Sequence, residues 1–168
     1  AHTSTDKLQS LQHIPYVRKA YAQSGGMRAL QLNEEASELW VSSDHDSYSS
    51  IAIEALDKTD IDAIASGPVI GHDLKTTFRG LLASGIEWPG VIGHDTRIGA
   101  FMLNSLERSR ELSDLLEQNI DTADGGQVVA ALWRLFDEQR VQFEQRPKLT
   151  KLAREIEFPT IYQLAKVE

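Results

Sequence analysis

The sequence predicts an α/β domain in which an antiparallel meander of short strands comes first, strands and helices then alternate, and helices close the chain. Three observations carry this expectation. Short β-favouring runs separated by turn residues follow one another over residues 14–42. The pentapeptide Val69-Ile70-Gly71-His72-Asp73 recurs 22 residues later as Val91-Ile92-Gly93-His94-Asp95, and each copy runs into a helical pattern. The last third is amphipathic helix, with Val128, Val129, Leu132, Leu135 and Phe136 on one stripe.

In chain order, residues 1–12 are polar and are expected to be weakly ordered, with the folded domain spanning 13–168. Residues 14–21 are a strand candidate that Pro15 confines to a strand start or an edge. Ser24-Gly25-Gly26 turns the chain into a second strand over 27–33. Residues 34–37 turn it again into a third over 38–42, carrying Leu39, Trp40 and Val41. Residues 44–50 are a polar loop. Over 51–65 Ile53, Leu56, Ile61 and Ile64 have helical spacing, interrupted near Lys58 and ended by Ser66-Gly67-Pro68. The two pentapeptide copies are short strands that turn sharply into helices, the rhythm of a βαβ unit with its right-handed crossover. Further helices are expected over 106–117, over 127–145 after a break at 121–126, and from Lys148 onward. Pro159 should kink or split the last one.

Composition limits the function. With 168 residues, 41% hydrophobic and 25% charged, the chain can build one globular core. No run approaches the roughly 18 apolar residues of a membrane span. Without a charged-then-apolar start, no export is expected, and a cytoplasmic monomer is the working assumption. The absence of cysteine excludes disulfides and thiolate zinc sites. A net charge of −8 makes the domain a poor autonomous DNA binder, because that affinity draws on cations that neutralise phosphates. Arg146, Lys148, Lys151 and Arg154 form one basic cluster, read first as a solvated helix face.

Several polar residues carry rival readings. Asp73 and Asp95 each follow Gly-His and precede a helix, the position of an N-cap worth about 1 kcal/mol. The alternative is a metal site assembled from His72, Asp73, His94 and Asp95. Asp44-His45-Asp46 sits among serines, the composition of an exposed turn. No phosphate-binding loop or nucleophile elbow is present in the sequence. Trp40, Trp88 and Trp133 are expected to pack in the core before stacking on bases.

The stretch Ile70-Gly71-His72-Asp73-Leu74-Lys75 through Gly85-Ile86, then His94-Asp95-Thr96 with Phe101-Met102-Leu103-Asn104, resembles the 3'-5' proofreading exonuclease domain of bacterial family-A DNA polymerase I. A weaker likeness runs from about residue 14 onward, and the end of the chain looks like the helix joining that domain to the polymerase domain. The resemblance implies a ribonuclease-H-like (DnaQ-type exonuclease) mixed sheet, meander first, flanked by helices.

Members of that family hydrolyse DNA with two divalent metals held by carboxylates. Their first motif, Asp-x-Glu, lies on the first strand. Residues 14–21 hold no acid there and offer the cations Arg18 and Lys19; with 27–33 as first strand, Gln31 and Asn33 take the pair. The second motif, Asn-x-x-x-Asp, becomes Asp73 to Thr77. The third, Tyr-x-x-x-Asp, becomes Asp124 and Val128.

The resemblance therefore implies no catalytic, cofactor-binding or metal residues and no cofactor. The domain would brace the polymerase domain of the same parent chain, a DNA-directed DNA polymerase of replication and repair, and meet DNA through that enzyme. Glu168 falls within what should be a continuing helix, so excision from a longer chain is expected. One alternative is an active metal-dependent exonuclease using Asp44, Asp46, Asp73 and Asp95. Another is a free-standing protein-interaction domain.

Overall fold

The computed structural model describes residues 7–168, so residues 1–6 of the stretch expected to be weakly ordered lie outside the described residues. Six strands form one mixed sheet: β1 (Gln12–His13), β2 (Arg28–Leu32), β3 (Glu38–Ser42), β4 (Ser47–Ala52), β5 (Val69–Gly71) and β6 (Ile92–Asp95). Their spatial order is β1-β4-β3-β2-β5-β6. The central β2, β3 and β4 are the antiparallel meander, β5 and β6 run parallel to β2, and β1 lies parallel along the edge of β4. The eight α-helices among the described residues are α1 (Arg18–Gln23), α2 (Lys58–Ile64), α3 (Leu74–Ala83), α4 (Thr96–Leu103), α5 (Leu112–Leu116), α6 (Gly125–Glu144), α7 (Pro147–Leu152) and α8 (Phe158–Val167). None is long and apolar enough to cross a membrane among the described residues. The expected fold class holds: a mixed α/β sheet, meander first, with helices on both faces.

Strand alternation divides the core. Leu30, Leu32, Leu39, Val41 and Ile51 point to one face and pack with Leu74, Phe78 and Leu81 of α3 and Phe158, Ile161 and Ala165 of the closing helix. Ala29, Trp40 and Ile70 point to the other and meet Val128, Val129, Leu132, Trp133 and Phe136 of α6. Each fully buried leucine or phenylalanine contributes about 1.5–3 kcal/mol of transfer free energy. All three tryptophans are buried in this packing, as expected.

The structure departs from the sequence expectation in four places. Residues 14–21 are no strand: Arg18-Lys19-Ala20 are good helix formers and begin α1, leaving only Gln12–His13 extended. The supposed loop 44–50 supplies most of β4, because Ser49 and Ile51 alternate into the core opposite Val41 and Leu39. The run 51–65 divides into the end of β4, a 3-10 turn at Ile53–Ala55 and α2, which Asp57 and Asp60 start with a reciprocal capping box. Of 106–117 only Leu112–Leu116 is helical, and Leu106 is 89% exposed.

Arg28 is the largest fully buried side chain. Its guanidinium donates to the carbonyls of Tyr21, Ser24, Gly26, Ala63 and Ile64, which gather at the C-terminal ends of α1 and α2. Burial lowers its pKa. Carbonyl dipoles at helix C-termini favour a cation, and five of them replace its hydration.

Candidate functional site

Both recurring pentapeptides end at helix starts, and the pairing of β5 with β6 brings those starts together, Gly71 opposite Asp95. Asp73 adopts left-handed backbone (φ 63°), which Asp tolerates better than most residues, and accepts from the Thr76 hydroxyl at 2.7 Å. Asp95 is wholly buried. Its carboxylate accepts the N–H of Arg97 (2.9 Å) and Ile98 (3.1 Å) on its own helix, and of Leu74 (2.7 Å) and Asp73 (3.3 Å) on the neighbouring one. Burial pushes this carboxyl up to about 6, against the four N–H donors that favour its anion.

The two histidines are locked in neutral roles. His72 Nε2–H donates to the Arg110 carbonyl at 2.6 Å, so Nδ1 of the neutral ring accepts from the Thr96 hydroxyl at 2.8 Å. His94 Nε2–H donates to Gln139 Oε1 at 2.8 Å, and Gln139 in turn donates to the Thr96 carbonyl. Phe136, Phe143 and Phe158 surround the His94 ring. Burial holds each histidine down at about 4. The capping reading of Asp73 and Asp95 is therefore the one the geometry supports. Both ring nitrogens of His72, the Asp95 carboxylate and Nε2 of His94 are committed to other partners.

Beside these turns lies a cleft of about 250 Å3. Its floor is Gln31 and Asn33 at the end of β2, Trp40 on β3 and Val128 on α6; Asp73, Thr76 and the 111–122 segment form its walls. Arg97 and Glu111 pair at 3.3 Å near the mouth, an exposed bridge worth at most about 1 kcal/mol. A shallower groove shares Gln31, Asn33 and Thr76 and continues past Thr77 between α3 and α8. The positions taken from the family motifs thus gather here: Gln31, Asn33, Thr77 and Val128 border one continuous depression. Of the two alignments for the first motif, the one using β2 fits this placement; Arg18 and Lys19 lie on α1 instead.

Metal-site chemistry fits this lining poorly. None of the four motif positions carries an anion. Glu34, Asp73 and Glu111 are the nearest acids of the lining, but Asp73 is bound to Thr76 and Glu111 to Arg97. Among the described residues, no three His, Asp or Glu side chains converge where they could hold a metal. Asp44 also stands apart, accepting from the N–H groups of Asp46 and Ser47 in the β3–β4 turn.

Sequence reasoning missed three contributors. Glu38 takes the Trp40 indole N–H at 2.6 Å and orients the cleft floor. Gln139 anchors His94, and Arg97–Glu111 partly closes the mouth. Only Gln139, polar on an otherwise apolar helical stripe, left a signal that could have been read.

Comparison with solved structures returns the same architecture. The chain is similar to the POL domain of Pol1 from M. smegmatis in complex with DNA primer-template and dNTP (TM-score 0.68, 21% identical, covering 88% of this chain and 29% of that one). It is also similar to Brucella melitensis NrnC with bound Mg2+ (TM-score 0.69, 16% identical, covering 94% and 92%). A third similar structure is the apo form of a nuclease (TM-score 0.62, 16% identical, covering 94% and 91%). The chain spans 29% of the first of these chains but more than nine-tenths of each of the other two. No family model matches the sequence, and no curated protein does. At these identities the likeness is one of fold, a ribonuclease-H-like mixed α/β sheet flanked by helices.

Proposed function

We propose that this is a non-catalytic, exonuclease-like domain that gives structural support to the polymerase domain of a DNA polymerase I-type chain and reaches DNA mainly through that chain. The observation that carries the reading is the uncharged floor of the cleft. Paired hard divalent ions need clustered carboxylates, because each ion must exchange water for anionic oxygen. Gln31, Asn33, Thr77 and Val128 offer amides, a hydroxyl and a hydrocarbon instead. The rival reading, an active nuclease with substitute acids, would have to recruit Asp73 and Asp95 from helix caps and Asp44 from a distant turn. The likeness to a polymerase solved with DNA supports the choice of host chain.

The test is direct. The chain, given single-stranded DNA and either magnesium or manganese, should release no nucleotide above a Thr77→Ala control. Manganese titration calorimetry should likewise find no tight pair of ions. The quadruple variant Gln31→Asp, Asn33→Glu, Thr77→Asp, Val128→Asp should gain manganese binding at the same cleft. Nucleotide release by the unaltered chain, abolished by EDTA, would overturn the proposal.

A further inference from the structure

The molecule is acidic overall, with 25 carboxylates against 17 lysines and arginines, yet one surface reverses that balance. Residues 101–110 and 146–154 together hold six cations and one carboxylate, Glu107. One contact joins the two stretches at the end of α4, and two more order the first stretch beside it. Arg146 donates to the Leu103 carbonyl at 3.5 Å. Arg110 donates to the Ser105 carbonyl at 3.5 Å and lays its guanidinium 4.7 Å from the centre of the Phe101 ring.

Arg108, Arg146, Lys148, Lys151 and Arg154 are all exposed. Among the described residues, no carboxylate forms a salt bridge with any of them, whereas Arg18, Lys58, Lys75, Arg97 and Arg140 are each paired. Lys148, Lys151 and Arg154 follow one another about 4.5 Å apart along the helix axis. Glu144 and Glu155 border Lys151 and Arg154, and Glu107 adjoins Arg108, but none of them pairs with these cations; Arg146 and Lys148 stand at the junction with α4. Phe101, 51% exposed, stands beside it with one face toward Arg110.

We infer that this surface, at the junction of α4 and α7, is a docking site for single-stranded DNA, with phosphates on Arg108, Arg146 and Lys148 and a base on Phe101. The inference rests on the function proposed above only for the choice of DNA as the polyanion. Unpaired guanidinium and ammonium groups gain by displacing the counterions of a phosphate chain, and an exposed ring offers sequence-independent stacking. Two of the three cations given to phosphates, Arg108 and Arg146, are arginines, whose planar forks suit phosphate oxygens. The cations and apolar side chains are spread over two segments instead of separating along one amphipathic helix, which disfavours a membrane surface.

Fluorescence anisotropy tests this with the 168-residue chain, EDTA, about 50 mM salt and a labelled single strand of about twenty nucleotides. The chain should bind, and raising the salt should weaken binding steeply. The double variant Arg108→Glu, Lys148→Glu touches no folded-state partner and should lower affinity at least about tenfold. Phe101→Ala should lower it about fivefold, and Lys58→Glu on α2, with the charge reversed elsewhere, should leave it unchanged. Absence of binding, an equal loss in Lys58→Glu, or tighter capture of duplex DNA or anionic vesicles would each overturn the inference. EDTA keeps the two proposals separable: nuclease activity with metal would sink the non-catalytic reading and leave this patch standing.

Discussion

At Asp95 four backbone donors converge on two oxygens, and the side chain fastens two helix starts at once. An amide in its place would turn an NH2 toward N–H groups and leave donors buried without an acceptor. Asp95→Asn should therefore cost about 2–4 kcal/mol, read as a lower urea midpoint at an unchanged slope. A loss under about half a kcal/mol would contradict this account. That Asp73 and Asp95 are caps was legible in the sequence, because each stands directly before a helical pattern. That Asp95 also caps the neighbouring helix was not, since it depends on the register that sets Gly71 against Asp95. Arg28 was equally hidden: its five carbonyls come from separate segments that only the fold assembles.

Elements with strong local signals were read correctly, and those made by their neighbours were not. The helices after the two pentapeptides and the long α6 carry unbroken apolar stripes. By contrast, Ser47-Tyr48-Ser49-Ser50 has turn composition and becomes a strand because β3 offers it a partner. The proline near the end was expected to kink or split the last helix. The helix is divided there: a π segment at Ala153–Glu157 separates α7 from α8, with Phe158 N–H reaching back to the Ala153 carbonyl and Pro159 in the first turn of α8. At the other end, the N-terminal segment is strapped over the start of α6: Leu11 N–H donates to the Gly126 carbonyl at 3.1 Å. A Cβ on Gly126 would meet Ser10 Oγ and come within 2.7 Å of the Leu11 carbonyl. Gly126→Ala should therefore lift the strap at a cost of about 1–3 kcal/mol. Amide exchange at Leu11 and Gln12 should accelerate, and unchanged protection there would refute the strap.

For the whole molecule, the cleft was legible as a set of motif positions, but its assembly depended on which strand comes first at the centre of the sheet. The answer lay in packing, since Gln31 borders the cleft only because Leu30 and Leu32 turn into the opposite core. The buried titrating groups also give the molecule a pH profile. His72 and His94 fall from 6.5 to about 4 on folding, so their contribution is full above 6.5 and lost as pH drops toward 4. Asp95 rises from 3.8 to about 6, so its contribution is full below 3.8 and lost as pH climbs through 6. Two histidines oppose one aspartate over the same window, and the net expectation is a melting temperature that declines from pH 6.5 to 4. A profile that is level or rising toward acid would rule this balance out. Arg28 lies outside that competition. Its counterpart is peptide dipole and not a carboxylate, so no proton can neutralise the partner and little mobile salt can reach it. The Arg28 anchor between α1 and α2 should thus stay fastened in acid after the histidine-held side has loosened, even where protonation has weakened the Asp57 cap that starts α2.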